Sequence, residues 1–364
     1  MSRRTMLKWL ACLSAVLAGV VLLLAARHIP GFAAWYAANV FPVFPHTAGR
    51  VMSLLPFSVF EVVLVLLVLA LLCGAAYVVY SLFGRTGRAR LRGQVPGAAL
   101  RLFAVLSCAF LMFVLTAGIN YSRESFADHI GITVRDSTAD ELVRLYIKLA
   151  ERAAVLSREI ETDSYGHFVL HREGIHGRAI AAMHGLCDMY GGLGSYFPRA
   201  KAPVLSRLLL SNMNIGGFFS PWTVEAHYNG DMPGQSIPFV IVHELAHAAG
   251  HMREDEANFV AYLAAANSDC IGFRYSAVYA ALTYTLQALH RAVGAQRYAE
   301  LFALLPEQVV RDMAYARAYW RSFDGRAAEV ATRANDTYLR LNRQEDGVQS
   351  YGRMVDLLLA YYRD

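Results

Sequence analysis

Cysteine is scarce, with five residues in 364, and no Cys-x-x-Cys occurs, so a paired-thiolate motif is absent. Cys12, Cys73 and Cys108 fall within long apolar runs, where a thiol acts as a small packing group. Only Cys187 and Cys270 remain elsewhere; one disulfide between them is the alternative in an oxidising compartment, but lacking any spacing signature they are expected free and buried. Charged residues make up only 17% of the chain, and no basic stripe interleaved with aromatics appears, which argues against nucleic acid as a partner. Internal repeats and low-complexity tracts are also missing, so neither a solenoid nor a disordered linker is indicated.

What the chain has in excess is apolar sequence, 56% of its residues. The excess is concentrated in three runs, Leu7 to Ala26, Val59 to Phe83 and Ala98 to Ile119. Each approaches the roughly 20 residues a helix needs to cross about 30 Å of hydrocarbon. The first exceeds a usual signal-peptide core and lacks a clean Ala-x-Ala site, so it reads as an uncleaved anchor. These runs predict a membrane domain over 1–119 and a second domain over 120–364 that is long enough to build its own core.

The net charge of +5 has a local source in Arg3, Arg4, Lys8, Arg85, Arg88, Arg90 and Arg92. Basic residues beside spans stay on the cytoplasmic side. The amino terminus and the Gly84 to Gly97 loop are then expected inside, and everything after Ile119 outside.

In the second domain, apolar residues at helical spacing (Leu142, Leu145, Tyr146, Leu149) follow the start signal Ser137-Thr-Ala-Asp and predict a helix over Thr138 to Ile160. Gly177 to Tyr190 reads as a second helix closed by Gly191-Gly192. Turn formers between Pro203 and Pro233 bracket short β-leaning runs, Phe218-Phe219 and Thr223 to Tyr228, the one place suited to a small sheet. Thr223 to Tyr228 is a candidate edge strand for an extended peptide, or equally a plain sheet strand. Helical patterns then cover Ser236 to Ala249, Glu254 to Ala266, Ser276 to Val293, Gln296 to Ala303, Glu307 to Arg321, Arg326 to Leu341 and Ser350 to Arg363. The fold class expected is mainly α, with three amino-terminal transmembrane helices before a mostly helical domain carrying a small β-sheet.

The sharpest motif is His243-Glu-Leu-Ala-His247. Residues four apart share a helix face, so both imidazoles can reach one point while Glu244 stands beside it. Zinc accepts imidazole nitrogen, and a catalytic zinc site takes three protein ligands and leaves room for water, from which Glu244 could remove a proton. Ser236 is a plausible N-cap, Pro238 falls in the first turn, and Gly250 can end the helix in a left-handed conformation. The chain then reverses, as a third ligand requires. Glu254 is the first choice because Asn258 follows it by one helical turn and can hydrogen-bond a ligand imidazole; Glu256, Asp255 and His251 compete for the role.

HELAH followed by Glu254-x-x-Ala257-Asn258 resembles the gluzincin arrangement. That resemblance implies a zincin-like domain in which His243, His247 and Glu254 bind Zn2+, Glu244 is the general base and Asn258 supports the ligands. The separation of His247 from Glu254 is shorter than in many gluzincins, and Gly250 stands where metzincins keep their turn glycine. More widely, FFSPWTVEAHYNGDMP, REDEANFVAYLA, FRYSA, NDTYL and DGVQSYGRMVDLLLA resemble an uncharacterised bacterial membrane-protein family, which implies a multi-pass protein of the bacterial cell membrane and no established substrate.

Other residues carry weaker readings. Tyr351 and Arg353, and Arg274 and Tyr275, are candidates for stabilising charge on an attacked carbonyl, set against ordinary packing roles. His167, His171, His176 and His184 are irregularly spaced and read as surface or satisfied groups. The function expected is a membrane-anchored zinc metallopeptidase acting on an extracytoplasmic protein or peptide. A non-peptidase zinc hydrolase and a zinc-binding sensor or scaffold are the alternatives.

Overall fold

The computed structural model describes residues 2–205, 207–342, 344 and 346–363, the side chain of Tyr351 excepted. The chain opens with α1 (Arg3–His28), passes through the short helices α2 (Phe32–Asn39) and α3 (Arg50–Leu54), and continues as α4 (Val59–Leu82) and α5 (Arg85–Phe113). A π turn and a 3-10 turn extend α5 without a break to Ser122. The helices Arg3–His28, Val59–Leu82 and Arg85–Ser122 are long and apolar enough to cross a membrane.

Among the membrane-length helices, two details differ from the sequence expectation. The basic stretch from Arg85 to Gly97 is helix rather than loop, because its Arg, Ala and Leu residues favour helix, and the α4–α5 connection shrinks to Phe83 and Gly84. A Cβ on Gly87 would collide with the Ser81 backbone, so glycine permits this tight turn. The carboxyl end of the third apolar run is also buried in protein. Val114, Thr116, Ala117, Ile119 and Tyr121 are covered, and Leu115 O accepts a 2.8 Å bond from the Tyr36 hydroxyl on α2.

The remaining helices are α6 (Phe126–His129), α7 (Ala139–Leu156), α8 (Ile175–Tyr190), α9 (Ile237–Ala248), α10 (Glu254–Ala266), α11 (Ile271–Ala292), α12 (Ala295–Phe302), α13 (Glu307–Arg321), α14 (Arg326–Leu341) and α15 (Met354–Tyr361). α7 starts with a reciprocal cap: Glu141 N donates to Thr138 Oγ1 at 3.2 Å, and Thr138 N donates to Glu141 Oε2 at 2.8 Å. Its expected apolar stripe of Leu142, Leu145, Tyr146 and Leu149 is buried. α9 and α10 are buried nearly all round, as central helices of a layered core are, with α8, α11 and α15 packed about them and α7 packed on α11.

α10, α13 and α14 have the ends their sequence pattern predicts. α11 begins earlier, at Ile271, because Phe273 and Tyr275 are buried there; Tyr275 stacks on Phe168 at 5.6 Å and its hydroxyl donates to Asp312 Oδ2 at 2.5 Å. The last predicted helix is split into a 3-10 turn, Gly347–Arg353, and α15.

The sheet is one antiparallel hairpin, β1 (Gly217–Ser220) and β2 (Glu225–Tyr228), in register from Gly217↔Tyr228 to Ser220↔Glu225. Of the two readings of Thr223 to Tyr228, an edge strand open to a peptide and a plain sheet strand, the structure fits the second. β2 lies between β1 and a parallel bridge to Lys201, and all its residues are buried.

Alternation along β2 points Glu225 and His227 the same way, toward the start of α4. Glu225 Oε1 accepts Val59 N at 3.0 Å and Oε2 accepts Phe60 N at 2.9 Å, so a strand carboxylate caps the second span. Lys201 Nζ donates to Glu225 Oε1 at 2.6 Å, and also to the Met52 and Phe57 carbonyls. His227 Nε2 lies 2.8 Å from Ser58 Oγ, and Glu61 Oε1 and Oε2 accept from Leu205 N and Val204 N. A buried polar latch thus ties α4 to the sheet.

Candidate metal centre and its cavity

Every residue of α9 except Val240 is buried, including His243, Glu244 and His247. The chain enters α9 through a 3-10 turn, Gly234–Ser236, so Ser236 occupies the cap position without a capping side-chain bond. The exit is a left-handed stop at Gly250, φ 89°, with His251 N donating to Ala246 O at 3.0 Å and Gly250 N to His247 O at 2.9 Å. This reversal brings Glu254, the first residue of α10, back over the two histidines.

His243 Nε2 lies 3.2 Å from Glu254 Oε2, and His247 Nε2 lies 3.5 Å from the same oxygen. One candidate ligand atom from each residue falls within 4.8 Å of the others. His247 Nδ1 donates to the His251 carbonyl at 2.7 Å, which turns Nε2 toward the cluster. Asn258, one turn beyond Glu254, makes a side-chain hydrogen bond to His243 and stands 3.5 Å from the Tyr284 hydroxyl.

The other acids near Glu254 are engaged elsewhere. Glu256 accepts from Phe126 N at 3.2 Å, pairs with Arg253 and lies 3.7 Å from His251 Nδ1. Asp255 Oδ1 accepts from Glu256 N at 2.9 Å. His251 is buried edge-on against Phe126. None of the three joins the two α9 imidazoles.

Two imidazole nitrogens and one carboxylate oxygen form a donor set suited to a divalent transition metal, with three protein ligands as in an open site. Glu244 Oε2 is buried without a hydrogen-bond partner among the described residues, and Glu254 Oε2 is buried facing the two imidazole nitrogens. A buried carboxylate oxygen converging with two imidazoles, with a second unpartnered carboxylate oxygen beside them, fits a divalent cation.

The electrostatics agree with that fit. Burial alone would raise Glu254, but His247 and His243 outweigh it and hold the carboxyl at about 2. Burial would depress His247, yet Glu254 and then Glu244 raise it to about 9. His243 is lowered by burial and by His247. Without metal, His247 therefore keeps a proton at neutral pH that a binding dication must expel. Apparent metal affinity is expected to climb by about tenfold per pH unit from neutral toward 9 and then level off. Competition with a chromogenic chelator from pH 6 to 10 would read this, and a flat profile would refute it.

Burial pushes Glu244 up to about 8, with Glu254 adding to the rise and His247 opposing it. β1 passes directly beside this residue: a Cβ on Gly217 would lie 2.5 Å from Glu244 Oε1, so only glycine lets the strand approach so closely. Glu244, the three clustered residues and Asn258 all line one cavity of about 1110 Å³ between β1, α9, α11, α13 and α14.

Several sequence candidates lie elsewhere. Arg353 is exposed and pairs with Asp346, away from the cavity lining; the Tyr351 side chain lies outside the described residues. Arg274 donates to the Ser268 and Asp269 carbonyls, and Tyr275 is committed to Asp312. His167 stacks on Tyr315 and His171 lies 3.0 Å from Glu161. Cys187 and Cys270 are free and half-buried. Sequence reasoning did not single out Gly217, Tyr284, or the lining pair Tyr121 and Tyr338, whose hydroxyls are 2.9 Å apart. The run around Gly217 was visible as turn-rich, but its contact with Glu244 depends on how the hairpin docks.

Fold and site together define a mainly helical protein with three membrane-length helices and a buried His-His-Glu cluster beside a large cavity. The chain belongs to the family described as protein of unknown function (DUF3810), which it matches over residues 36–359. The match includes the second and third apolar helices and the whole cluster. No curated protein and no solved structure matches the chain.

Proposed function

We propose that this protein is a membrane-anchored zinc metallopeptidase of zincin-like, gluzincin-type architecture. The observation that carries the reading is the convergence of His243, His247 and Glu254 next to a buried, unpartnered Glu244 carboxylate oxygen in an open cavity. His243, His247 and Glu254 would hold the ion, and Asn258 and the His251 carbonyl would keep the imidazoles turned toward it. A bound zinc ion would supply Lewis acidity toward a substrate carbonyl and toward water. Glu244 takes the proton from the attacking water and returns it to the departing amine. The apolar cavity wall orients the peptide and limits competing water.

Metal content of the detergent-purified protein, by mass spectrometry, tests the reading. About one zinc per wild-type chain and clear loss in Glu254→Ala are expected. Equal metal in both proteins would remove Glu254 from the ligand set, and no metal after zinc supplementation would end the peptidase reading.

The basic residues beside α1 and at the start of α5 support a cytoplasmic amino terminus and an extracytoplasmic site. A reporter fused at the carboxyl terminus should then be active only outside the cytoplasm; activity inside would reverse the orientation.

A further inference from the structure

The cavity extends from the metal cluster to the third membrane-length helix. The turn joining β1 and β2 lies along that helix: Thr116 Oγ1 donates to Pro221 O at 2.8 Å, and the Trp222 indole N–H donates to Ala109 O at 3.1 Å. Ala109 lies within the apolar run, about 15 Å of helix before Ile119. Phe218 and Trp222 also pack on Phe60 in the first turn of α4, with ring centroids 5.1 and 6.5 Å apart. One strand thus connects the apolar part of the spans to Glu244, because β1 passes the Trp222 turn at one end and meets Glu244 through Gly217 at the other.

The lining from that helix and the hairpin against it is Ala117, Tyr121, Phe219 and Pro221, without a charged side chain, and the lining residue Met213 is 39% exposed. Charged lining residues outside the cluster of His247, Glu244 and Glu254 are Arg291 and Arg317, on α11 and α13. Outside the lining, Val204, Leu208 and Trp222 are 84%, 66% and 50% exposed; Val204 N reaches the Glu61 carboxylate at the start of α4, and Trp222 packs on Phe60 there. An apolar flank continuous with membrane-length helices is one that lipid covers. Within the cavity, Met213, Met232, Met252 and Met313 provide flexible apolar surface that accommodates varied side chains.

We propose that the cavity receives its substrate from the bilayer: an apolar peptide segment seated in the membrane, which enters past Met213 and Phe219 along the third span. This rests on the peptidase reading and names its substrate class. A polar soluble loop would lose hydration at this rim without gaining partners, whereas an apolar segment passes from lipid to a lining of similar character.

The test uses full-length, zinc-loaded Glu244→Gln protein in phosphatidylcholine vesicles, with photo-leucine carried on one of two peptides. The first is a Leu/Ala-rich membrane-spanning peptide of about 20 residues; the second is a polar, water-soluble peptide of equal length. Adducts are located by mass spectrometry. The membrane peptide is expected to label Met213, Phe219 and Phe239 about tenfold more than the soluble one, since confinement raises its local concentration. Met213→Asp should suppress those adducts and spare labelling of the outward face of α4. Adducts confined to the outward faces of the spans, or equal cavity labelling by the soluble peptide, would overturn the proposal. Labelling reads entry and needs no bond cleavage, so absence of Glu244-dependent hydrolysis would defeat the peptidase reading alone.

Discussion

Glu244→Gln is expected to lower peptide hydrolysis by about 10²- to 10⁴-fold, roughly 2.7–5.5 kcal/mol of barrier, with zinc content unchanged. Glutamine fills the same volume beside Gly217 and cannot accept a proton. Glu244 is 3% exposed and its Oε2 has no hydrogen-bond partner among the described residues, so the carboxylate is neither a helix cap nor half of a structural ion pair. Burial pushes it up to about 8, and the positive charge of a bound cation would bring it back toward neutral, the range in which a carboxylate is an effective base. A fluorogenic peptide pool, assayed alongside metal analysis, separates the possible roles. Activity and zinc lost together would make Glu244 a structural residue, and unchanged activity would remove it from the mechanism.

Glu225→Ala is expected to destabilise the protein by about 3–5 kcal/mol, the range for removing one partner of a buried ion pair. Glu225 is 1% exposed, and Lys201 is 5% exposed. Without the carboxylate, Lys201 retains the Met52 and Phe57 carbonyls but no countercharge, and Val59 N and Phe60 N lose their acceptors. Glu225→Gln keeps an acceptor oxygen and should fall between wild type and alanine. Adding Lys201→Met to Glu225→Gln should recover part of the loss, because the unpaired charge is then gone. Denaturant midpoints in detergent would read the series; a midpoint for Glu225→Ala equal to wild type would show that the latch contributes nothing to folding.

The candidate site was legible from the sequence where its geometry is local. A separation of four puts His243 and His247 on one face of any α-helix, Gly250 is the residue that ends a helix in the left-handed region, and Glu254 with Asn258 repeats the helical spacing after the reversal. Choosing among Glu254, Glu256, Asp255 and His251 was not local. Glu256 turns away because Arg253, Phe126 N and His251 surround it, and Phe126 is distant in sequence. Which of the two β-leaning runs, Phe218-Phe219 or Thr223 to Tyr228, lies beside Glu244 was likewise not local, because only the docking of the hairpin brings Gly217 there.

By itself the sequence determined three membrane-length helices, a mainly helical remainder with one short hairpin, and the register of His243, Glu244 and His247, since apolar run length and helical periodicity are properties of adjacent residues. Tertiary structure alone decided that Glu254 closes the cluster, that Gly217 brings β1 against Glu244, that Glu225 and Lys201 latch the second span to the sheet, and that the cavity reaches the third span. Each of these rests on contacts between separate elements, and such contacts follow from how buried side chains pack and satisfy one another across the core.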